Sequence, residues 1–160
     1  MKRLVALLFG IILLAGCGTD ELEKFTDKFN SIAETRNVDQ LDSEEFEGIE
    51  IEDGRGWQVL YYSSEYTIEA KYEDGKNLSG YYLVIDNSEP FEDMKGNGYD
   101  VGKTIAETLE LDVNKYESEY ETGLTQTSHS YTDKNYIVSF TNPGKDGLTS
   151  VGMIINFDKR

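Results

Sequence analysis

WQVLYYSSEYTIEAKYEDGKNLSGYYLVI, residues 57–85, is the stretch on which the fold turns. Apolar and aromatic side chains recur at alternate positions, as Trp57, Val59 and Tyr61, then Tyr66, Ile68, Ala70 and Tyr72, then Tyr81, Leu83 and Ile85. That is the period of strands with one buried face. Ser63-Ser64 makes a tight connection, and Glu73-Asp74-Gly75-Lys76-Asn77 carries the polar and glycine chemistry of a hairpin. A fourth strand is expected first, from Phe46 to Glu52, ending at Asp53-Gly54-Arg55-Gly56.

Upstream the period changes. Leu22, Phe25, Phe29, Ile32 and Ala33 recur at helical spacing between charged residues, the pattern of an amphipathic helix laid on a sheet. Asp20 as N-cap with Glu23 at the third helical position forms a capping box that starts this helix.

The pattern then recurs downstream. Ile32-Ala33-Glu34-Thr35 returns as Ile105-Ala106-Glu107-Thr108, and Glu45-Phe46-Glu47 as Glu119-Tyr120-Glu121. From Trp57 onward an offset of 70 superposes Tyr61 on Tyr131, Tyr66 on Tyr136, Ile68 on Val138, Leu83 on Met153 and Ile85 on Ile155. The fold class expected is therefore α+β, a tandem duplication of an α-β-β-β-β unit with two helices packed on one side of antiparallel sheet. The first repeat covers 20–87, an acidic glycine-containing linker 88–99 and the second repeat 100–160, with Asp100 capping its helix. The expected cores are Phe29, Ile32, Trp57, Tyr66 and Ile68 in one repeat and Ile105, Leu109, Tyr136, Val138 and Phe140 in the other. This layout resembles the duplicated helix-plus-sheet architecture of the secreted β-lactamase inhibitor proteins, a likeness of architecture alone.

The N-terminus speaks to location. Lys2 and Arg3 precede an apolar run that closes at Leu14-Ala15-Gly16-Cys17, too short for a membrane-spanning helix. The segment resembles the lipobox of bacterial lipoproteins. The resemblance implies that residues 1–16 are a removed signal peptide, that Cys17 is diacylated within a short tether, 17–19, and that the protein sits on the extracytoplasmic face of the cell membrane. Cys17 is the single cysteine, so no disulfide forms within the chain.

Charge bounds the partners. Loss of Lys2 and Arg3 takes the formal charge of −16 to −18. A surface so acidic excludes nucleic acid, whose phosphates need Lys and Arg, and favours a cationic protein or peptide. Anionic headgroups repel it too, leaving the lipid on Cys17 as the membrane attachment.

Motifs for chemistry are few. Gly96-Asn97-Gly98-Tyr99-Asp100-Val101-Gly102-Lys103-Thr104 ends like a phosphate-binding loop but has Asn97 where the motif needs glycine, so no nucleotide is expected. His129 is the single histidine; a hairpin turning at Asp133-Lys134 sets it opposite Val138 as a partly buried structural residue. Asp86, Asn87, Glu89, Glu92 and Asp93 offer calcium-type oxygen ligands without EF-hand spacing and read as a solvated acidic loop. No cofactor is called for.

The tyrosines of the strands fall mainly on the helix-facing side. The opposite face then carries Leu60, Tyr62, Tyr82, Val84, Ile137 and Ile154, the candidate partner-binding residues. Two functions follow: a lipid-anchored binding or inhibitor module that presents this face to a protein or peptide, or a cell-envelope hydrolase or sugar-binding protein using carboxylates between the repeats.

Overall fold

Seven strands form one antiparallel sheet in the order β1-β2-β3-β4-β7-β6-β5, in a computed structural model that describes residues 17–86, 97–143 and 151–160. The elements run α1 (Cys17–Arg36), β1 (Glu50–Glu52), β2 (Arg55–Tyr62), β3 (Tyr66–Glu73), β4 (Asn77–Asp86), α2 (Asn97–Thr108), α3 (Val113–Thr125), β5 (Ser128–Asp133), β6 (Tyr136–Thr141) and β7 (Val151–Lys159). The α+β class stands, with three helices among the described residues rather than the two expected.

Each turn follows from its residues. Asp53 and Gly54 both take positive φ, 50° and 77°, the two-residue turn whose twist matches that of the strands it joins. Asp74 and Gly75 do the same in the β3–β4 connection. The ends of α1 and α2 match: Asn37 and Glu110 adopt positive φ, and the amides of Val38 and Leu111 donate back to the carbonyls of Ala33 and Ala106 at 3.1 and 2.9 Å. This backward bond over five residues satisfies carbonyls the helix end leaves open.

The helices cover one face. Phe25 stacks on Tyr81 with ring centroids 3.8 Å apart, and Phe29, Ile105, Tyr116, Tyr120, Val138, Phe140, Met153, Ile155 and Phe157 are fully buried with them. Tyr116 and Tyr120 both pack on Phe140.

Several expectations are corrected. Glu119-Tyr120-Glu121 is helical, because Asp112 caps α3 by accepting from the amides of Asn114 and Lys115 at 3.0 and 3.1 Å, and Tyr116, Tyr120 and Gly123 then fall on one buried helix face. The second half is thus α-α-β-β-β. The strand expected from Phe46 shrinks to Glu50–Glu52. α1 opens at Cys17 and α2 at Asn97, so Asp20 and Asp100 lie in the first turns instead of capping them. Trp57 leaves the core: a bulge between Val59 and Tyr61 reverses the alternation, sending Trp57 and Val59 to the face away from the helices while Tyr61 stays on the helix side. Ile32 is only half-buried.

Register also refines the internal likeness. Tyr61 pairs with Ile68 as Tyr131 does with Val138, in keeping with the offset of 70. Ile68 then pairs with Leu83 but Val138 with Phe157, so the third strands correspond at an offset of 74. At the centre, Leu83 faces Ile155, with Tyr82 on Asn156 and Tyr81 on Phe157 beside it. The meander β1–β4 and the meander β5–β7 meet along this ladder.

Gly80 lets them meet. A Cβ there would lie 2.2 Å from the carbonyl oxygen of Phe157, a contact no rotamer relieves because both atoms belong to backbone. Gly80→Ala is therefore expected to cost about 1–3 kcal/mol in urea unfolding, and Phe140→Ala about 3–5 kcal/mol. Unchanged midpoints would refute the packing described.

Candidate functional site: the open face of the sheet

Antiparallel register fixes which side chains share the face away from the helices, in three rows across the strands. One runs Tyr62, Thr67, Val84, Ile154, Thr141 and Ser128. The next runs Val59, Glu69, Tyr82, Asn156, Ser139 and Ser130. The third runs Glu50, Trp57, Lys71, Gly80, Asp158, Ile137 and Thr132. The face is thus acidic and aromatic toward β1, apolar at its centre and rich in hydroxyls toward β5.

Five of the six expected face residues are here. Tyr82, Val84 and Ile154 form a half-buried apolar patch on the central strands, while Tyr62 and Ile137 are exposed toward either side. Leu60 is not: as the extra residue of the bulge it turns inward and is 3 % exposed within the core. Cys17 is the first residue of α1. Trp57, Glu69, Lys71 and Asn156 belong to the face and escaped the sequence reading. For Trp57 the bulge hides the signal; for the others the signal is the alternation itself, which sets Glu69, Lys71 and Asn156 at outward positions of β3 and β7.

Lys71 shows how the face is built. Its ammonium group donates to Asn156 Oδ1 at 3.1 Å and forms an ion pair with Asp158, both on β7. Gly80 of β4 stands between Lys71 and Asp158 in the row, so the ammonium reaches across one strand.

Glu69 differs. It lies between Val59 and Tyr82, half-buried. Burial first, then the carboxylates of Glu47 and Glu50, hold its pKa above the ordinary 4.5; burial and Glu69 push the Tyr82 phenol up in turn. Among the described residues Glu69 is the one carboxylate shifted upward. It borders an open groove of about 840 Å³ lined also by Glu50, Glu52, Trp57, Lys71, Tyr82 and Asp158. With Glu73 the groove sets five carboxylates against Arg55, Lys71 and Lys159, a net negative charge beside the aromatic surface of Trp57 and Tyr82.

The other candidates are accounted for by packing. Gly102, Lys103 and Thr104 lie inside α2: the Tyr116 hydroxyl occupies the place of a side chain at Gly102, Lys103 pairs with Glu117, and buried Thr104 donates to the carbonyl of Asp100 at 2.8 Å. His129 pairs in register with Phe140, not Val138, because the turn falls at Lys134-Asn135; its Nε2 lies 2.5 Å from Glu119 Oε2, joining β5 to α3. Of the acidic loop only Asp86 is among the described residues, and no three His, Cys, Asp or Glu side chains converge as metal ligands among them. No helix among the described residues is long and apolar enough to cross a membrane.

No known family model matches the chain, and comparison with curated proteins and with solved structures finds no similar protein.

The sign of the Glu69 linkage is testable. A carboxyl whose pKa is raised by folding contributes stability while protonated and loses it as pH rises through the folded pKa. Glu69→Gln should therefore melt higher than the wild type near neutral pH, and the difference should close in acid, where both chains carry a neutral side chain. A lower melting temperature at neutral pH would mean that Glu69 is held by a favourable partner instead.

Proposed function

We propose that this chain is a lipid-anchored, extracytoplasmic binding module of inhibitor type, acylated on Cys17, that presents the open face of its sheet to a cationic protein or peptide. The observation that carries this reading is the one-sided placement of the helices. It leaves Tyr82, Val84 and Ile154 beside a half-buried, unneutralised Glu69. Apolar surface rimmed by charge marks interaction sites, and a carboxylate already repelled by Glu47 and Glu50 gains from an incoming Lys or Arg.

The anchor sets the geometry. α1 opens at Cys17 without an intervening linker, and its first turns lie against the strand ends that border the groove: Glu21 pairs with Lys159, which also donates to the carbonyl of Leu78 at 3.1 Å. Two acyl chains hold a protein stably at a bilayer. Acylated at Cys17, the molecule would carry its groove at the membrane end of the sheet, facing sideways along the surface.

A second reading, a cell-envelope hydrolase or sugar-binding protein, is favoured by one observation: burial and neighbouring carboxylates shift the Glu69 pKa upward, the direction a general acid needs, and Glu69 shares its groove with Trp57, a platform for a sugar ring. Turnover of cell-wall glycan that Glu69→Gln abolishes would establish it in place of the binding module.

Two variants test the main proposal. Cys17→Ala should release the protein from the membrane fraction or leave it as uncleaved precursor; continued membrane attachment of the processed chain would overturn the anchor. Changing Tyr82 and Ile154 together to Ser should abolish cross-linking to a partner on intact cells while the melting temperature changes little. A large fall in melting temperature would assign these residues to stability rather than binding.

A further inference from the structure

The two edges of the sheet are treated differently. Along β5 lies α3, with Lys115 Nζ donating to the Thr132 carbonyl at 2.9 Å and standing 5.2 Å from the Tyr131 ring, while the Asp112 amide donates to Asp133 at 2.7 Å. A helix and a lysine on an edge are means of stopping further strand pairing. β1 has neither. Every residue from Glu47 to Arg55 is exposed, and β1 pairs with β2 alone.

Its backbone is also open. The two-residue turn at Asp53-Gly54 makes Glu52 and Arg55 a hydrogen-bonded pair; by alternation Glu50 and Trp57 form the next, and Ile51, opposite Gly56, points its N–H and C=O away from β2. The side chains alternate as well. Glu50 and Glu52 stand on the open face at the groove, whereas Ile49 and Ile51 stand on the other side against Gly56 and Gly75. The two isoleucines remain 41 % and 63 % exposed, apolar surface that the helices do not reach.

We propose that β1 is a strand-addition site for an extended segment of a partner in which basic and apolar residues alternate. Such a segment would extend the sheet through the outward groups of Ile51, lay its Lys or Arg residues beside Glu50 and Glu52, and cover Ile49 and Ile51 with its apolar ones. Main-chain bonds would supply affinity and the alternation would supply register. A second copy fits poorly. Antiparallel pairing of two β1 strands sets their glutamates against each other between molecules that each carry −16 or more negative charge. Glu50 and Glu52 line the groove that Tyr82 also borders, but the outward backbone groups of Ile51 lie on the far edge of the sheet from the Tyr82–Ile154 patch, so variants at Ile51 and at Tyr82 and Ile154 separate this proposal from the open-face reading.

The probe is a synthetic peptide of about eight residues alternating Lys and Val, compared with one of the same composition whose lysines form a block. Binding to the full-length chain in detergent is read by the fluorescence of Trp57, the sole tryptophan and the partner of Glu50, and by amide exchange at Ile51. The alternating peptide should bind and slow exchange at Ile51. Ile51→Pro, which removes the outward N–H at an edge position where proline is tolerated, should weaken binding about tenfold or more, with Ile51→Val near the wild type. Equal binding of the block peptide, or undiminished binding to Ile51→Pro, would overturn the proposal in favour of adsorption to an acidic surface. Concentration-dependent protection of Ile51 without peptide would overturn it in favour of self-association. The Tyr82 and Ile154 double variant should still take up the peptide; loss there with an intact fold would make the central face, and not the edge, the site.

Discussion

The pairing of β4 with β7 is the contact on which the rest of the molecule depends. β4 is the inner edge of the four-stranded meander β1–β4 and β7 that of the three-stranded meander β5–β7, and their ladder, centred on Leu83 and Ile155, turns two half-sheets into one. Five helix-side residues of these strands, Tyr81, Leu83, Met153, Ile155 and Phe157, are buried at 0–1 % exposure, so the seam is also the middle of the core. Its tolerance is narrow. At Gly80 the backbones approach too closely for any side chain, and the same residue lies in the row between Lys71 and its ion-pair partner Asp158. One small residue thus belongs to the packing and to the surface row together.

The helix layer is joined by weaker ties. Lys28 and Arg36 of α1 reach Glu110 and Glu107 at the end of α2, contacts that are partly exposed and individually contribute little. What orients the helices is burial of aromatic rings on the sheet. Phe25 and Phe29 carry α1, and Tyr116 and Tyr120 carry α3. The loop after α1 is fixed to the strands by Asp39, which accepts from Tyr61 at 2.7 Å and Tyr66 at 3.0 Å. All of this holds one face of the sheet and none of it touches the other.

Strand content was legible because alternation survives small errors of register. The third strands correspond at 74 rather than 70 residues, yet both offsets are even, so Met153, Ile155 and Ile154 kept their faces. An odd slip is the damaging one. The bulge at Leu60 is such a slip: it exchanged the places of Leu60 and Trp57, moving the single tryptophan from the expected core onto the open face. α3 was lost for another reason. The likeness of Glu119-Tyr120-Glu121 to Glu45-Phe46-Glu47 outweighed Asp112 and the four-residue spacing of Tyr116 and Tyr120, local signals that favour a helix. Of the site, the apolar patch could be read from the strands themselves. The cluster of Glu47, Glu50 and Glu69 could not, because it depends on which strands lie side by side.

The seam has a kinetic consequence. β4 ends at Asp86 and its partner β7 begins at Val151, so the central ladder joins segments that are distant in sequence and includes the last strand of the chain. Contacts of such separation are slow to form. Until β7 is in place, β4 presents a bare inner edge of ten residues, apolar on both faces, the kind of transient surface on which unfolded chains aggregate. The first half of the sheet gains its inner neighbour only when the second is in place, so the central ladder is a late step of folding.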